Sequence, residues 1–168
     1  MTYDGVMKPR AYLETTIPSY LTAWPKNDLL RSACQQVTRD WWDFRRNDFE
    51  LFVSPATIRE CGAGDPVAAA ARIAVIKDTE LLLETPGAVS LAAALVGSLK
   101  IPPRAEIDAL HIAICAVHKI DYLLTWNCTH IANAAFTTRI EATCSKAGFR
   151  TPVICTPQQL MSEELGNG

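Results

Sequence analysis

The sequence predicts an α/β protein built around a mainly parallel sheet. Five short apolar segments alternate with longer segments of helical pattern, and the same kind of turn signal follows three of them. Strands that alternate with helices form βα units, whose strands lie parallel in one sheet. The predicted strands are Arg10–Glu14, Glu50–Val53, Glu80–Glu84, Asp121–Thr125 and Pro152–Cys155, and a long helix is predicted over Leu29–Arg46.

The turn signal is a capping residue followed by proline. It occurs at Ser54-Pro55, Asp65-Pro66, Thr85-Pro86 and Thr156-Pro157. Ser, Thr and Asp side chains cap the first turn of a helix, and proline at the first helical position loses no hydrogen bond. Three of the pairs directly follow a predicted strand, which indicates repeated strand–turn–helix units.

Composition predicts one globular domain over residues 1–168, with fraying expected at about 1–7 and 165–168. Of the 168 residues, 49% are hydrophobic and 20% are charged. Met7 is a candidate natural start, because the first strand begins soon after it. The net charge of −2 argues against a general basic coat for nucleic acid but leaves room for a local basic rim.

The compartment is predicted from what the chain lacks. The first nine residues hold no apolar core of signal-peptide length, and charge or proline interrupts every apolar stretch before it reaches membrane length. We therefore expect a cytoplasmic protein without a membrane partner. The six cysteines form no C-x-x-C pair, so free, reduced, mostly buried thiols are expected rather than a zinc site.

Glu14 is the first candidate metal ligand. It closes the first predicted strand and precedes Thr15 and Thr16. Ligands of an open parallel sheet bind beyond the carboxyl ends of its strands, which is where this acid is expected. The alternative is a solvated glutamate beside a helix that Thr15 or Thr16 caps.

Two further acids stand where the helical pattern disfavours them. Glu60 falls near the carboxyl end of a short helix, where the dipole disfavours negative charge. Asp108 lies in Glu106–Val117, which is apolar nearly all round and therefore predicted to be buried. A buried carboxylate is costly unless it is paired or binds a metal. The alternatives are an exposed helical glutamate and a charge at an exposed helix start.

Polar residues also follow the fourth predicted strand. Thr125, Asn127 and His130 lie on the predicted strand-to-helix turn, where Asn127 and His130 can each reach a metal or a phosphate. The alternative is strong, because asparagine is a good helix cap and a single histidine is often an ordinary surface residue. His111 is interpreted as a core histidine with its hydrogen bonds satisfied. His118 suits the carboxyl end of its helix and needs no function.

Four segments together resemble PIN-domain proteins, above all the VapC-like toxins of type II toxin–antitoxin systems. They are YLETTIPSYL, SPATIRE, DALHIAICAVHKIDYLLTWN and HIAN, and the resemblance runs from about residue 8 to about residue 164. It implies a three-layer α/β/α sandwich with about five strands and a ribonuclease that uses Mg²⁺ or Mn²⁺. It also implies an antitoxin protein as partner and a homodimer.

The resemblance assigns roles by position. Glu14, Glu60 and Asp108 match the three leading acids of the family, and Thr125 matches the Ser or Thr that ends the fourth strand. Glu14 and Asp108 are then the principal ligands, and Glu60 binds directly or through water. The chain departs from the family at the first acid, which is usually Asp, and at the fourth, where it has Asn127 and, a turn later, His130.

Asn127 is retained in the predicted catalytic set, with His130 as a group that orients water or phosphate. The missing fourth acid also supports an alternative, a catalytically weak or inactive PIN-like module that binds RNA or a partner. A receiver-type or phosphatase-type domain is disfavoured, because no D-x-D motif follows the first strand.

RNA is expected to lie across the acidic site. Thr15, Thr125, His130, Arg104 and Arg46 are the predicted substrate-binding residues. Further phosphate contacts are predicted for Arg39, Arg45 and Lys100. Trp41 or Trp42 is expected to stack on a base, the alternative being an aromatic residue that faces the core.

Overall fold

The computed structural model describes residues 7–25 and 27–161, which form five strands and seven α-helices. The ends predicted to fray lie outside this part, apart from the exposed Met7. The strands are β1 (Arg10–Leu13), β2 (Glu50–Val53), β3 (Glu80–Leu81), β4 (Tyr122–Leu124) and β5 (Val153–Cys155). The helices are α1 (Thr16–Thr22), α2 (Leu29–Phe44), α3 (Pro55–Cys61), α4 (Pro66–Ile76), α5 (Pro86–Leu99), α6 (Glu106–Val117) and α7 (Thr137–Lys146).

The sheet is parallel throughout, with the strand order β3-β2-β1-β4-β5, and this confirms the predicted fold class. The chain builds outward from β1 to β3 on one side and then crosses over to place β4 and β5 on the other. The order therefore reverses between β1 and β4. Open parallel sheets bind ligands beyond the carboxyl ends of the strands at such a switch point.

Side chains of successive strand residues enter two separate cores. Tyr12 and Leu123 pack with α5, α6 and α7 on one face, whereas Leu13 and Leu124 pack with Ile17 of α1 on the other. This alternation follows from the two-residue period of a strand. Helices cover both faces, so the sheet is the middle layer of a sandwich.

The predicted helix starts are confirmed. The side chains of Ser54, Asp65 and Thr85 each accept a hydrogen bond from the backbone N–H three residues later. Thr156 forms a capping box with Gln159 at a short 3₁₀ helix. The strand-to-helix turns are thus determined locally by the cap and the following proline.

Five of the six predicted elements are longer than the structure makes them, and β3 differs most. β3 holds only Glu80–Leu81, because its neighbour β2 ends at Val53, whose carbonyl accepts the last bond, from the Leu82 N–H (2.8 Å). The long helix ends at Phe44, and a 3₁₀ turn over Arg46–Asp48 leads into β2.

The buried helix α6 has the predicted bounds and is buried on most sides, including at Asp108 and His111. The six cysteines are free; four of them are buried, Cys34 is partly buried and Cys128 is exposed. Within residues 7–25 and 27–161, no helix combines the length and the apolar character that a bilayer crossing requires.

Candidate metal centre

Two of the predicted acids meet at the carboxyl edge of the sheet. Glu14 directly follows β1, and Glu60 lies at the end of α3, the helix that follows β2. Each offers a carboxylate oxygen, and these atoms and a ring nitrogen of His111 from α6 all lie within 4.8 Å of one another. Glu14 and His111 are buried, whereas Glu60 is partly exposed. We call these three residues the Glu–Glu–His group.

Glu14 is held through one of its two carboxylate oxygens. Its Oε2 accepts hydrogen bonds from the Thr16 N–H (3.0 Å), the Thr16 hydroxyl (2.5 Å) and the Thr125 hydroxyl (2.8 Å). None of these three bonds involves Oε1, the other carboxylate oxygen. Thr125 follows β4 and Glu14 follows β1, so their hydrogen bond joins the two strands between which the strand order reverses. Glu14 is 3% exposed, which excludes the solvated glutamate considered as the alternative.

The environment of Glu14 opposes its ionisation. Burial raises the pKa of this carboxyl, and the offset from His111 and from the hydrogen bonds of Thr16 and Thr125 is only partial. A cation beside the carboxylate would remove this unfavourable contribution. The donors and the burial therefore suit a positively charged ligand.

Glu60 is the more readily ionised acid of the group. Its Oε1 accepts a hydrogen bond from the Thr15 hydroxyl (2.6 Å) and lies 2.6 Å from His111 Nε2. Burial acts to raise the pKa of Glu60, but the hydrogen bond and charge of His111, together with Thr15, outweigh it, so the net pKa is lowered. Glu60 is thus hydrogen bonded to Thr15 and His111 and is not the exposed helical glutamate considered as the alternative.

His111 is a fully buried histidine with both ring nitrogens hydrogen bonded, as predicted for a core residue. Nδ1 lies 2.7 Å from the Tyr12 hydroxyl, which also contacts the hydroxyls of Ser54 (2.7 Å) and Thr57 (2.9 Å). Burial raises the pKa of Tyr12 well above its ordinary value of 10.0, so its hydroxyl stays neutral.

The contact between His111 and Glu60 was missed by the sequence reasoning. The available signal was the spacing from Asp108, because residues three apart share one face of a helix. A histidine on the same face as a suspected ligand is a further ligand candidate.

Asp108 lies outside the Glu–Glu–His group. Its Oδ2 is 2.7 Å from Nδ1 of His130, so the predicted need for a partner is met by a histidine. Sequence reasoning placed three acids together; the structure brings together two acids and His111, with Asp108 one helical turn away. Asp108 keeps its second oxygen, Oδ1, outside this contact.

Asn127 acts within its own loop. Its Oδ1 accepts the backbone N–H groups of Thr129 (3.2 Å) and His130 (3.1 Å), and its N–H donates to Thr125 Oγ1 (2.9 Å). The amide oxygen therefore closes a turn, which is the alternative that the sequence left open. Asn127 therefore brings no negative charge to the place where the resemblance implies a fourth acid.

Two of the predicted RNA contacts lie at the wrong edge of the sheet. Arg45 and Arg46 immediately precede β2, at the amino ends of the strands, whereas the Glu–Glu–His group lies at the carboxyl ends. Arg46 covers the ring of Trp42 (4.8 Å), and Trp41 is fully buried with its ring 5.6 Å from that of Phe49. None of these four residues, Trp41, Trp42, Arg45 and Arg46, is therefore expected to contact RNA.

Other predicted contacts are better placed. Lys100 and Arg104 are exposed in the connection that leads to the start of α6, the end that carries Asp108. Arg39 instead donates to the Ala23 carbonyl (3.3 Å) near the end of α1.

A stacked aromatic pair beside the site was not predicted. Trp126 directly follows Thr125, and its ring stacks on Tyr20 with a centroid distance of 6.0 Å and an interplanar angle of 14°. The Trp126 N–H donates to Thr16 Oγ1 (2.8 Å), and its indole N–H donates to Thr38 (2.8 Å). Both rings remain partly exposed.

Comparison with known proteins supports the fold. No protein-family model matches the chain, and no curated protein matches it. The crystal structure of VapBC2 from Rickettsia felis, bound to a DNA fragment from their promoter, matches with a TM-score of 0.56 and 11% identity. The match covers 87% of this chain and 97% of that chain. At this identity the likeness shows the fold, and it confirms the PIN-like architecture that the sequence resemblance implies.

Proposed function

We propose that this chain is a divalent-metal-dependent endoribonuclease that hydrolyses RNA phosphodiester bonds. The observation that carries the proposal is the Glu–Glu–His group, whose ligand atoms lie within 4.8 Å of one another at the switch point of a PIN-like sheet. The burial of Glu14, which disfavours its charged form, suits a site for a cation, and Oε1 takes part in none of the three hydrogen bonds to Oε2.

A bound metal ion would acidify a water nucleophile and stabilise charge on the phosphate. Glu14 and Glu60 would hold the ion as carboxylate ligands, and Asp108 would contribute Oδ1 directly or through a water. Thr125 and Thr15 orient Glu14 and Glu60, since their hydroxyls already donate to these carboxylates. We therefore propose them as positioning residues instead of substrate contacts.

The RNA is held beside the metal by charge and stacking. Arg104 and Lys100 bind phosphates, as exposed cations near the start of α6. The Tyr20–Trp126 pair offers a partly exposed ring surface for a base. His130 is anchored by Asp108 through Nδ1, so Nε2 is left to contact phosphate or water.

We further propose a role as the toxin of a toxin–antitoxin pair, acting as a homodimer with an antitoxin partner. The fold likeness to a VapBC2 chain supports this role. A small open reading frame beside the gene, whose product binds this chain and suppresses cleavage, is the expected finding. Light scattering of the purified chain tests the dimer.

The activity is tested by incubating defined single-stranded and structured RNAs with the protein and Mn²⁺ or Mg²⁺. Cleavage is expected to stop with chelator and to be lost in Glu14→Gln and Glu60→Gln. Glu106→Gln is the matched control, because Glu106 is an exposed acid on α6 outside the group. Cleavage that persists with chelator, or in both site variants, contradicts the proposal.

A second function is binding of RNA or a partner without cleavage. It is favoured because the side-chain oxygen of Asn127 already accepts two backbone hydrogen bonds. With its oxygen engaged by two backbone N–H groups and His130 paired to Asp108, no fourth acid completes the site. RNA binding with no cleavage under any divalent ion would establish this function instead.

A further inference from the structure

We infer that His111 is itself a metal ligand and that it makes this site select a transition-metal ion such as Mn²⁺ or Zn²⁺ over Mg²⁺. The inference rests on the proposed metal site and concerns which ion that site takes. It replaces an all-carboxylate donor set by two carboxylates and one imidazole.

The position of His111 carries the first part of the inference. Its Nε2 lies 2.6 Å from Glu60 Oε1, and a ring nitrogen belongs to the group whose ligand atoms are all within 4.8 Å. Metal–ligand bonds of about 2.0–2.2 Å place neighbouring ligand atoms about 3–4 Å apart, so small side-chain shifts bring these three onto one ion. The buried Glu14 contributes Oε1, which takes part in none of that residue's three hydrogen bonds.

The hydrogen bonds around His111 permit coordination through Nε2. The imidazole must then carry its proton on Nδ1, and this N–H donates a hydrogen bond to the Tyr12 hydroxyl, which lies 2.7 Å away. Tyr12 in turn donates to Ser54 or Thr57, whose hydroxyls lie 2.7 and 2.9 Å from it. Metal-binding histidines characteristically donate their second N–H to such a partner, which fixes the ring and its tautomer.

The donor chemistry carries the selectivity. Mg²⁺ prefers oxygen ligands and near-octahedral geometry, whereas imidazole suits transition-metal ions. His111 is fully buried and its Nδ1 is hydrogen bonded to Tyr12, so its ring is held with Nε2 toward an ion bound by Glu14 and Glu60. A Mg²⁺ ion at this place would have to accept nitrogen or take its third protein ligand from Asp108, which lies outside the Glu–Glu–His group and is paired with His130. We therefore expect affinities in the order Zn²⁺, Mn²⁺, Mg²⁺.

Mn²⁺ is the probe that shows the nitrogen directly. Pulsed electron paramagnetic resonance of Mn²⁺ bound to the wild-type protein is expected to show hyperfine coupling to a directly coordinated nitrogen. Labelling the histidines with ¹⁵N is expected to change that coupling to the ¹⁵N pattern. Because this measurement uses the wild-type chain, it does not depend on whether a variant at the buried His111 folds.

Variants then assign the signal to one residue. His111→Gln is expected to abolish the coupling and to reduce the preference for Mn²⁺ over Mg²⁺, measured by calorimetric titration of the chelator-treated protein. Tyr12→Phe is expected to keep the coupling and weaken Mn²⁺ binding roughly 10-fold or more, as loss of a partner to a ligating histidine does. His118→Gln is the matched control, because His118 bonds the Leu83 carbonyl away from the group.

The outcomes separate this inference from the proposed function. Mn²⁺ bound without nitrogen coupling, or Mg²⁺ bound as tightly as Mn²⁺, overturns the role of His111, while metal-dependent RNA cleavage that needs Glu14 would still support the nuclease. Absence of any divalent-ion binding overturns both. Nitrogen coupling in a protein that cuts no RNA supports His111 as a ligand and contradicts the nuclease alone.

Discussion

Thr125→Val tests how the fold stabilises the ionised form of a buried carboxyl group. Thr125 is fully buried, and its hydroxyl donates to Glu14 Oε2 at 2.8 Å. Valine has nearly the same shape, so the substitution removes the hydroxyl without opening a cavity. The Asn127 N–H also loses an acceptor, but Asn127 is only partly buried and water can replace it.

The expected loss follows from the charge on the acceptor. A hydrogen bond to an ionised group contributes about 1.5–3 kcal/mol, so we expect the free energy of unfolding to fall by about that amount at a pH at which Glu14 is ionised in both proteins. For a chain of this size that lowers the melting temperature by roughly 5–10 °C. The measurement is denaturant unfolding of the chelator-treated protein.

The loss is expected to depend on pH. The deleted bond stabilises the ionised form, so the pKa of Glu14, already raised from 4.5 by burial, rises further in the variant. Once the pH is low enough to protonate Glu14 in both proteins, only a bond to a neutral acid is missing, about 1 kcal/mol. The difference between wild type and variant should therefore shrink on acidification.

Thr125→Ser is the matched control, because it keeps the hydroxyl. It is expected to lose about 0.8 kcal/mol for one buried methyl group, by the same amount at both pH values. An equal loss at neutral and acid pH in the valine variant would refute the reasoning. So would a serine variant that reproduces the pH dependence of valine.

Three further predictions concern neighbouring residues. The native state of the metal-free protein holds the Glu14 proton more tightly than the unfolded chain does, so the contribution of this group to stability is lost as pH rises from 4.5 through its raised pKa in the folded state; Glu14→Gln should therefore be more stable than wild type at neutral pH in denaturant unfolding, and a less stable variant would contradict this. Tyr12→Phe leaves His111 Nδ1 without its buried partner and should cost about 1–3 kcal/mol in the same assay, whereas an unchanged unfolding free energy would remove Tyr12 from the network. Asp108→Asn weakens the bond to His130 and should reduce RNA cleavage in a gel assay, so full activity in this variant would remove Asp108 from the site.

Much of the fold could be predicted because its signals are local. A cap followed by proline starts a helix whatever packs against it, as at Ser54, Asp65 and Thr85. The apolar pattern of α6 was sufficient to predict its burial. The length of β3 was not predictable in this way, since it depends on where the neighbouring β2 ends.

The candidate site was predicted in part. Glu14 and Glu60 follow strands that lie side by side, so the parallel sheet brings them to one edge. Asn127 was retained in the predicted catalytic set with a capping role as the alternative, and its oxygen closes the local turn. The residue type alone does not distinguish these two roles, because an asparagine oxygen can serve either one. Arg46 was placed at the site by charge alone, although the direction of α2 carries it to the opposite edge.

The sequence by itself determined the α/β class, the helix starts and the candidate acids, one at the end of the first strand and one in the short helix that follows the second, because backbone preferences and side-chain periodicity act over a few residues. Only the tertiary structure decided that His111, and not Asp108, completes the group with Glu14 and Glu60. Both residues lie on one face of α6, so the choice depends on the rotation and height of that helix against the sheet. Packing over the whole core sets these two quantities, and no short segment of the chain encodes them.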